Sequence, residues 1–220
     1  MPCALCQTRK PRRFCPALHD RICAVCCGTA REVTLDCPAD CPWLQQARAH
    51  EKPRPLEELA ASGVELFPRL EISQGFLHER QPLILGLSFA LARTVRGFPE
   101  LNDRDLIAAL TTLARSYERL ASSGLHYQEP AAGGAQQVLG EELEKMIAEY
   151  RQVEIRHLGY ASLRDADVLK ALVFLLRLGH SRTSGRPRSR ACLDFLRVQF
   201  PEKEKTIASP SDAPGRIIVP

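Results

Sequence analysis

The chain has 220 residues, of which 45% are hydrophobic, 25% charged and 6% aromatic, and its formal net charge is +4. This length and apolar fraction suit one medium-sized globular domain with a small appendage, and the low aromatic content favours helices packed by Leu and Ala. No stretch approaches the roughly eighteen apolar residues of a membrane-spanning helix, and the N-terminus lacks the pattern of a secretory signal. We therefore expect a cytoplasmic protein without membrane contact, and the net charge is too small to indicate nucleic-acid binding by itself.

Cysteine is concentrated at the N-terminus, because eight of the nine cysteines lie within the first 41 residues and Cys192 stands alone. Ligands separated by two or three residues can converge on one ion from a tight turn, which is the spacing of tetrahedral zinc sites. There are enough ligands for two closed sites, so we expect two structural Zn²⁺ ions rather than a catalytic one. The candidate metal ligands are Cys3, Cys6, Cys15, His19, Cys23, Cys26, Cys27, Cys37 and Cys41.

Two other uses of these cysteines are less favoured. A disulfide framework conflicts with a reducing cytosol, and an iron–sulfur cluster does not call for His19. A segment of about forty residues buries too little apolar area to fold alone. Metal binding must therefore supply much of its folding free energy, on the order of 10 kcal/mol or more per site.

The ligand spacing over residues 3–44 resembles that of the MYND and HIT zinc fingers. Those fingers are small cross-brace domains, treble-clef-like in outline, in which alternate ligand pairs share an ion, and they mostly recruit partner proteins. The whole chain also resembles a group of uncharacterised bacterial proteins with a zinc finger and helices, which implies no activity. Carried over by position, the resemblance implies one ion held by Cys3, Cys6, Cys23 and either Cys26 or Cys27, and a second held by Cys15, His19, Cys37 and Cys41.

A basic insert lies between the first ligand pairs of this zinc head (residues 1–44). Its cations could contact phosphates, although a charge run of this size is more often a solvated loop. The four cations are Arg9, Lys10, Arg12 and Arg13.

Residues 45–80 are expected to form a linker with a short helix and an extended segment. Pro55 and the acidic residues after it are typical of a first helical turn. The segment 64–72 alternates partly, but Pro68 restricts it to the edge of a sheet at best.

Residues 81–201 show helical periodicity and predict a bundle of about five helices, so the fold class is mainly α. Asn102 or Asp103 can cap the second helix, and Ser189 can cap the fifth. Ser162 and Asp165 form an acidic variant of a capping box at the start of the fourth helix. That helix is nearly all apolar over 168–178, so we expect it at the centre of the bundle.

The bundle sequence contains no catalytic constellation. Glu154 and His157 have the Glu-x-x-His spacing of di-iron bundles, but such sites need a second copy, and a helix-surface ion pair is the better interpretation. Cys192 is expected to be a small core residue. We find no phosphate loop, nucleophile elbow or dinucleotide motif, and hence no small-molecule substrate site.

Positive charge is segregated along the chain. Six arginines against one acid lie in the Arg-rich segment (177–197), whereas residues 51–176 carry a net charge of −4. Arginines in a loop before a helix suit phosphate geometry, with a solvated loop as the equally weighted alternative. The anion-binding candidates here are Arg182, Arg186, Arg188 and Arg190.

These observations favour a non-catalytic, zinc-binding adaptor that recruits a partner protein through the zinc head and the helical surface. The alternative is an RNA- or DNA-binding protein that uses the Arg-rich segment and the basic insert. Residues 202–220 lack periodicity and are predicted to be a disordered tail.

Overall fold

A computed structural model describes residues 1–124 and 133–202 and shows a mainly helical protein with one small two-stranded sheet. Within these residues no helix combines the length and apolar character needed to cross a membrane. The predicted tail lies outside the described residues from position 203 onward. The elements are β1 (Arg13–Cys15), β2 (Asp20–Ile22), α1 (Ala24–Ala30), α2 (Pro42–His50), α3 (Leu56–Ala61), α4 (Gln74–Glu79), α5 (Gln81–Gly97), α6 (Asp103–Ser123), α7 (Gly134–Leu158), α8 (Asp165–Arg182) and α9 (Ala191–Gln199).

The zinc head is built on a β-hairpin followed by α1. Strands β1 and β2 pair antiparallel, with Arg13 opposite Ile22 and Cys15 opposite Asp20. Its buried core consists mostly of cysteine side chains together with Ile22 and Leu35. So small an apolar core gives little hydrophobic stabilisation, which agrees with the expectation that bound metal contributes to folding.

The bundle has a separate and much larger core, with α8 at its centre. Helix α8 packs most extensively on α6 and also contacts α5 and α9. Its apolar run, 168–176, is buried almost throughout, because neighbouring helices cover more than one of its faces. Cys192 on α9 is also buried in this core, as expected for a small apolar residue.

The two cap candidates before α6 cap different helices. Asn102 caps α6 itself in a capping box with Asp105. Asp103 is 0% exposed and accepts hydrogen bonds from the backbone N–H of Cys192 (3.1 Å) and the hydroxyl of Ser189 (2.6 Å) at the start of α9. Ser189, the expected cap of α9, thus works together with a carboxylate from another helix.

Two expectations around the start of α8 are wrong. Ser162 does not form a capping box with Asp165, since α8 has no side-chain cap; its hydroxyl instead donates to Glu154 (2.7 Å). Glu154 is not part of a surface ion pair with His157, because it is buried and also accepts from the backbone N–H of Leu163 (2.9 Å). The turn between α7 and α8 folds back onto α7, and helical periodicity alone does not reveal such a return.

The linker contains more helix than expected, since α2 runs through the 44/45 boundary and α3 and α4 follow. The segment 64–72 pairs with no strand in the described structure. The guanidinium of Arg177 on α8 instead donates to the backbone carbonyls of Leu66 (3.0 Å), Phe67 (2.8 Å) and Leu70 (2.9 Å). One arginine therefore satisfies carbonyls that a neighbouring strand would otherwise bind.

Candidate metal centre and its junction with the bundle

Four cysteines of the zinc head form a cluster that can hold a metal ion. Their sulfur atoms all lie within 4.8 Å of one another, and no other group of three or more ligands in the described residues is as close. Four thiolates at this spacing suit tetrahedral zinc and leave no open position for a substrate. This first cysteine cluster comprises Cys3, Cys6, Cys23 and Cys26.

Local folding brings these side chains together. Cys3 and Cys6 lie in a turn that is closed by the N–H of Gln7 donating to the Cys3 carbonyl (2.8 Å). Cys23 is the N-cap of α1, and Cys26 follows in its first turn. The backbone N–H of Cys23 donates to Cys3 Sγ (3.1 Å), and that of Cys26 donates to Cys23 Sγ (3.4 Å). These donors stabilise negative charge on the sulfurs.

The four thiols differ in how readily they lose a proton. The hydroxyl and backbone N–H of Thr8 and the N–H of Arg9 lower the pKa of Cys6 to about 5. The neighbouring Cys23, together with burial, raises the pKa of Cys26 to about 12. Zinc must displace the protons that remain, so its affinity is expected to fall as the pH is lowered.

The basic insert is partly used within the head. The side chain of Arg9 hydrogen-bonds to Cys23, and this contact, with the charges of Cys6 and Cys23, raises the pKa of Arg9. Arg13 stacks over the ring of Trp43 at 4.5 Å. Lys10 and Arg12 are exposed. Two of the four predicted anion contacts therefore have intramolecular roles.

The other predicted ligands lie apart from the first cysteine cluster. Cys27 is adjacent to Cys26 but does not join the cluster. His19 is exposed in the hairpin loop and does not line the cavity where the remaining cysteines meet. Burial, with the charges of Cys41 and Cys15, raises the pKa of Cys37. The cysteines around that cavity are Cys15, Cys27, Cys37 and Cys41.

A buried carboxylate joins the zinc head to the bundle. Glu32, just after α1, is 2% exposed and accepts hydrogen bonds from Arg48 (2.8 Å) and from the hydroxyl of Ser184 (3.1 Å). Its backbone carbonyl accepts from the N–H of Arg188 (2.8 Å). Arg48 also pairs with Asp194 on α9 (2.6 Å). Partly buried ion pairs between the head and the bundle hold the two parts in one orientation.

The Arg-rich segment supplies the other half of this junction. The guanidinium of Arg186 donates to the backbone carbonyls of Gly28 (3.0 Å) and Arg31 (2.7 Å) at the end of α1. These carbonyls have few partners at a helix end, and a planar cation with several donors satisfies them together. Arg186, predicted to bind an anion, therefore binds the zinc head.

The other candidates of the Arg-rich segment differ in their surroundings. Arg182 stacks over Phe195 at 4.2 Å. Arg188 is exposed and Arg190 half-buried, and both line a cleft that also contains Asp36 and Glu100. The acids reduce the positive potential of this cleft, which makes it a poorer phosphate site than the sequence indicates.

Comparisons of the chain with protein-family models, curated proteins and solved structures find no match. The resemblance to MYND and HIT fingers therefore remains a prediction from ligand spacing. Sequence reasoning missed Glu32 and Arg48, because neither belongs to a motif and their pairing depends on how head and bundle meet.

Proposed function

We propose that this protein is a non-catalytic adaptor in which a zinc-organised head and a helical bundle together recruit a partner protein. The observation that carries the proposal is the use of Arg186 and Glu32 to join head and bundle. The guanidinium of Arg186, which would otherwise be free to contact phosphates, joins head and bundle into a single binding unit. A fixed pair of modules binds with less ordering cost than two freely moving ones.

The zinc head is proposed to be a cross-brace finger that holds two Zn²⁺ ions. The first cysteine cluster supports this arrangement, because its ligand pairs skip over Cys15 and join residues on both sides of the hairpin. All nine cysteines are free thiols, which suits zinc binding in the reducing cytoplasm, where we place the protein. A site with four protein ligands stabilises the fold rather than activating water.

The helical surface offers an apolar region for the partner. A groove of about 300 Å³ between α4, α5, α8 and α9 is lined mainly by apolar side chains, Phe174 and Phe195 among them. Leu85 on α5 lies at its edge and is 47% exposed. Phe89 on α5 and Val198 on α9 are exposed as well. Burying such surface contributes about 25 cal/mol per Å², so the expected partner supplies apolar side chains.

The adaptor proposal is tested with a partner captured on the zinc-loaded full chain and then purified for affinity measurement. Leu85→Glu places a charge in the groove and is expected to weaken binding at least about tenfold, since burying an unpaired charge is costly. Val153→Glu is the matched control, because Val153 is 41% exposed on α7, away from the groove. Equal affinities for both variants would contradict the proposed surface.

The nucleic-acid alternative is tested by fluorescence anisotropy with mixed-sequence RNA and DNA over a salt series. The adaptor proposal would be overturned by tight binding in which the logarithm of the affinity falls with the logarithm of the salt concentration at a slope equivalent to several phosphate contacts. The informative variants are Lys10→Ala with Arg12→Ala, and Arg188→Ala with Arg190→Ala. Arg186→Ala is unsuitable, because it also removes contacts between head and bundle.

A further inference from the structure

We propose that the second zinc ion is bound by four sulfurs and that His19 is not one of its ligands. This assignment rests on the two-ion content proposed for the head and is independent of the adaptor role. Uptake of Zn²⁺ releases the four thiol protons and leaves a four-thiolate centre with a net charge of −2. The proposed ligands are Cys15, Cys27, Cys37 and Cys41.

The four cysteines line one small cavity between the hairpin, α1 and the start of α2. Its volume is about 10 Å³, which is room for a single water-sized sphere and therefore for one ion. Cys15, Cys27 and Cys41 are buried, and Cys37 is half-buried. The site is thus enclosed, as structural zinc sites are.

Backbone geometry explains how the adjacent Cys26 and Cys27 serve different ions. Successive residues on a helix project about 100° apart, so the two side chains of α1 point to different sides. Cys26 belongs to the first cysteine cluster, and Cys27 lines the second cavity. On the far side, the N–H of Cys41 donates to the Pro38 carbonyl (3.0 Å) and closes a turn that begins directly after Cys37 and ends at Cys41.

A cationic side chain accompanies each cysteine set. Arg31 lines the second cavity, and its Nη2 lies 3.9 Å from Cys27 Sγ. Arg9 lies beside the first cluster, where its backbone carbonyl accepts from the N–H of Cys3 (3.0 Å) and its guanidinium interacts with Cys23. A four-thiolate zinc centre carries one more negative charge than a centre with three thiolates and one imidazole. A neighbouring guanidinium at each set therefore suits two all-sulfur sites.

The sulfur atoms of the second set are more widely spaced than those of the first cluster. Zn–S bonds of about 2.3 Å place tetrahedral sulfurs about 3.8 Å apart, so binding requires side-chain rotations that bring these sulfurs closer together. His19, by contrast, is exposed in the loop between β1 and β2 and does not line the cavity. The cysteine set is therefore the nearer to a closed site.

Native mass spectrometry of the zinc-loaded full chain, read against its denatured mass, tests the assignment. We expect two zinc ions in the wild type, in His19→Ala and in the control Cys192→Ser, and one in Cys27→Ser. One ion in the wild type would overturn the second site. One ion in His19→Ala with two in Cys27→Ser would overturn the ligand set while leaving the two-ion content intact.

Cobalt substitution of the wild type gives a second readout should Cys27→Ser fail to fold. Two all-sulfur sites predict equal thiolate charge-transfer absorbance for the first and second equivalents of Co²⁺. If the second equivalent adds about a quarter less charge-transfer absorbance than the first, one ligand of the second site is an imidazole, and the assignment is contradicted. The zinc count and the cobalt spectra do not depend on partner binding. Failure of the adaptor proposal would instead be detected in the affinity comparison of Leu85→Glu with its control.

Discussion

Individual buried carboxylates hold together elements that are distant in the chain. Asp103 begins α6 and caps α9, Glu154 on α7 binds the turn before α8, and Glu32 binds both Arg48 and Ser184. Each receives charge-assisted hydrogen bonds, which contribute more than neutral ones. These residues therefore connect helices through polar contacts as well as through the apolar core.

We expect Asp103→Asn to lower the free energy of unfolding by about 2–3 kcal/mol. The asparagine side chain carries no negative charge, and its NH₂ group would face the groups of Ser189 and Cys192 that donate hydrogen bonds to the carboxylate. Urea unfolding followed by circular dichroism measures the loss. Glu118→Gln on the exposed side of α6 is the control, and equal stabilities for the two variants would contradict the role of Asp103.

Glu154 predicts a specific dependence of stability on pH. Burial raises its pKa, but hydrogen bonds from Ser162 and Leu163 and the charge of Arg80 outweigh burial and lower the pKa below 4.5. A carboxyl whose pKa is lowered by folding stabilises the protein above its unfolded pKa, and this contribution disappears as the pH falls through its folded pKa.

The corresponding variant is Glu154→Gln. It is expected to be less stable than wild type by about 1–2 kcal/mol at neutral pH. The difference should shrink as the pH falls from 4.5 through the lower pKa that Glu154 has in the folded protein. Unfolding free energies measured from pH 7 downward test this. The difference between the two proteins is the relevant quantity, because zinc loss at acid pH affects both. A constant difference, or the same behaviour in the exposed control Glu149→Gln, argues against it.

At the scale of elements, arginines of the Arg-rich segment join separate parts of the molecule, and Arg186 joins the head to the bundle. Arg186 binds the end of α1, Arg177 binds the loop around Leu66, and Arg182 stacks on α9. Clustering of arginines in the sequence indicates that they bind the same kind of acceptor group. It does not distinguish a phosphate from a row of backbone carbonyls, since both are oxygen acceptors.

Arg186→Ala is expected to loosen this connection. Loss of both hydrogen bonds to α1 should cost about 1.5–3 kcal/mol and speed amide hydrogen exchange in residues 24–35 and 183–190. Hydrogen exchange with mass spectrometry locates the effect. Arg188→Ala is the matched control, because only its backbone N–H contacts Glu32 and that contact survives the change. Similar exchange in both variants would show that Arg186 does not join the two parts.

At the scale of the whole molecule, the chain has two cores that share little. The buried residues in the core of the head are mostly cysteines, whereas the core of the bundle consists mainly of aliphatic side chains from α5 to α9. We therefore expect the bundle to remain folded without metal and the head to depend on a bound ion for its folding.

Removing metal with a chelator under reducing conditions is expected to unfold the head selectively. Most of the helical circular dichroism should remain, since α5–α9 contain most of the helical residues. New proteolytic sites should appear within residues 1–50. Restored protection after zinc is added back is the control for irreversible damage. Loss of helicity in step with metal removal would show instead that the two cores fold as one unit.

Much of this architecture could be read from residue order, because some signals are local. Cysteine pairs at two-residue spacing predict a metal site, and the apolar stripes of residues such as Leu83 and Leu87 predict helices. Helix caps were harder to predict from the sequence. Asn102 caps its own helix, but Asp103 caps a helix that begins some ninety residues later. Contacts of that kind have no periodic signature.

The sequence by itself thus determined the helical class, the position of the cysteine-rich head and the ligands available to a metal, since these depend on residue type and on spacing along a few turns. Only the tertiary structure decided that Cys26 and not Cys27 joins Cys3, that Arg186 binds α1, and that Glu154 is buried. The physical reason is that thiols, guanidiniums and carboxylates each have several possible partners. Which partner is used depends on distances between segments that are far apart in the chain.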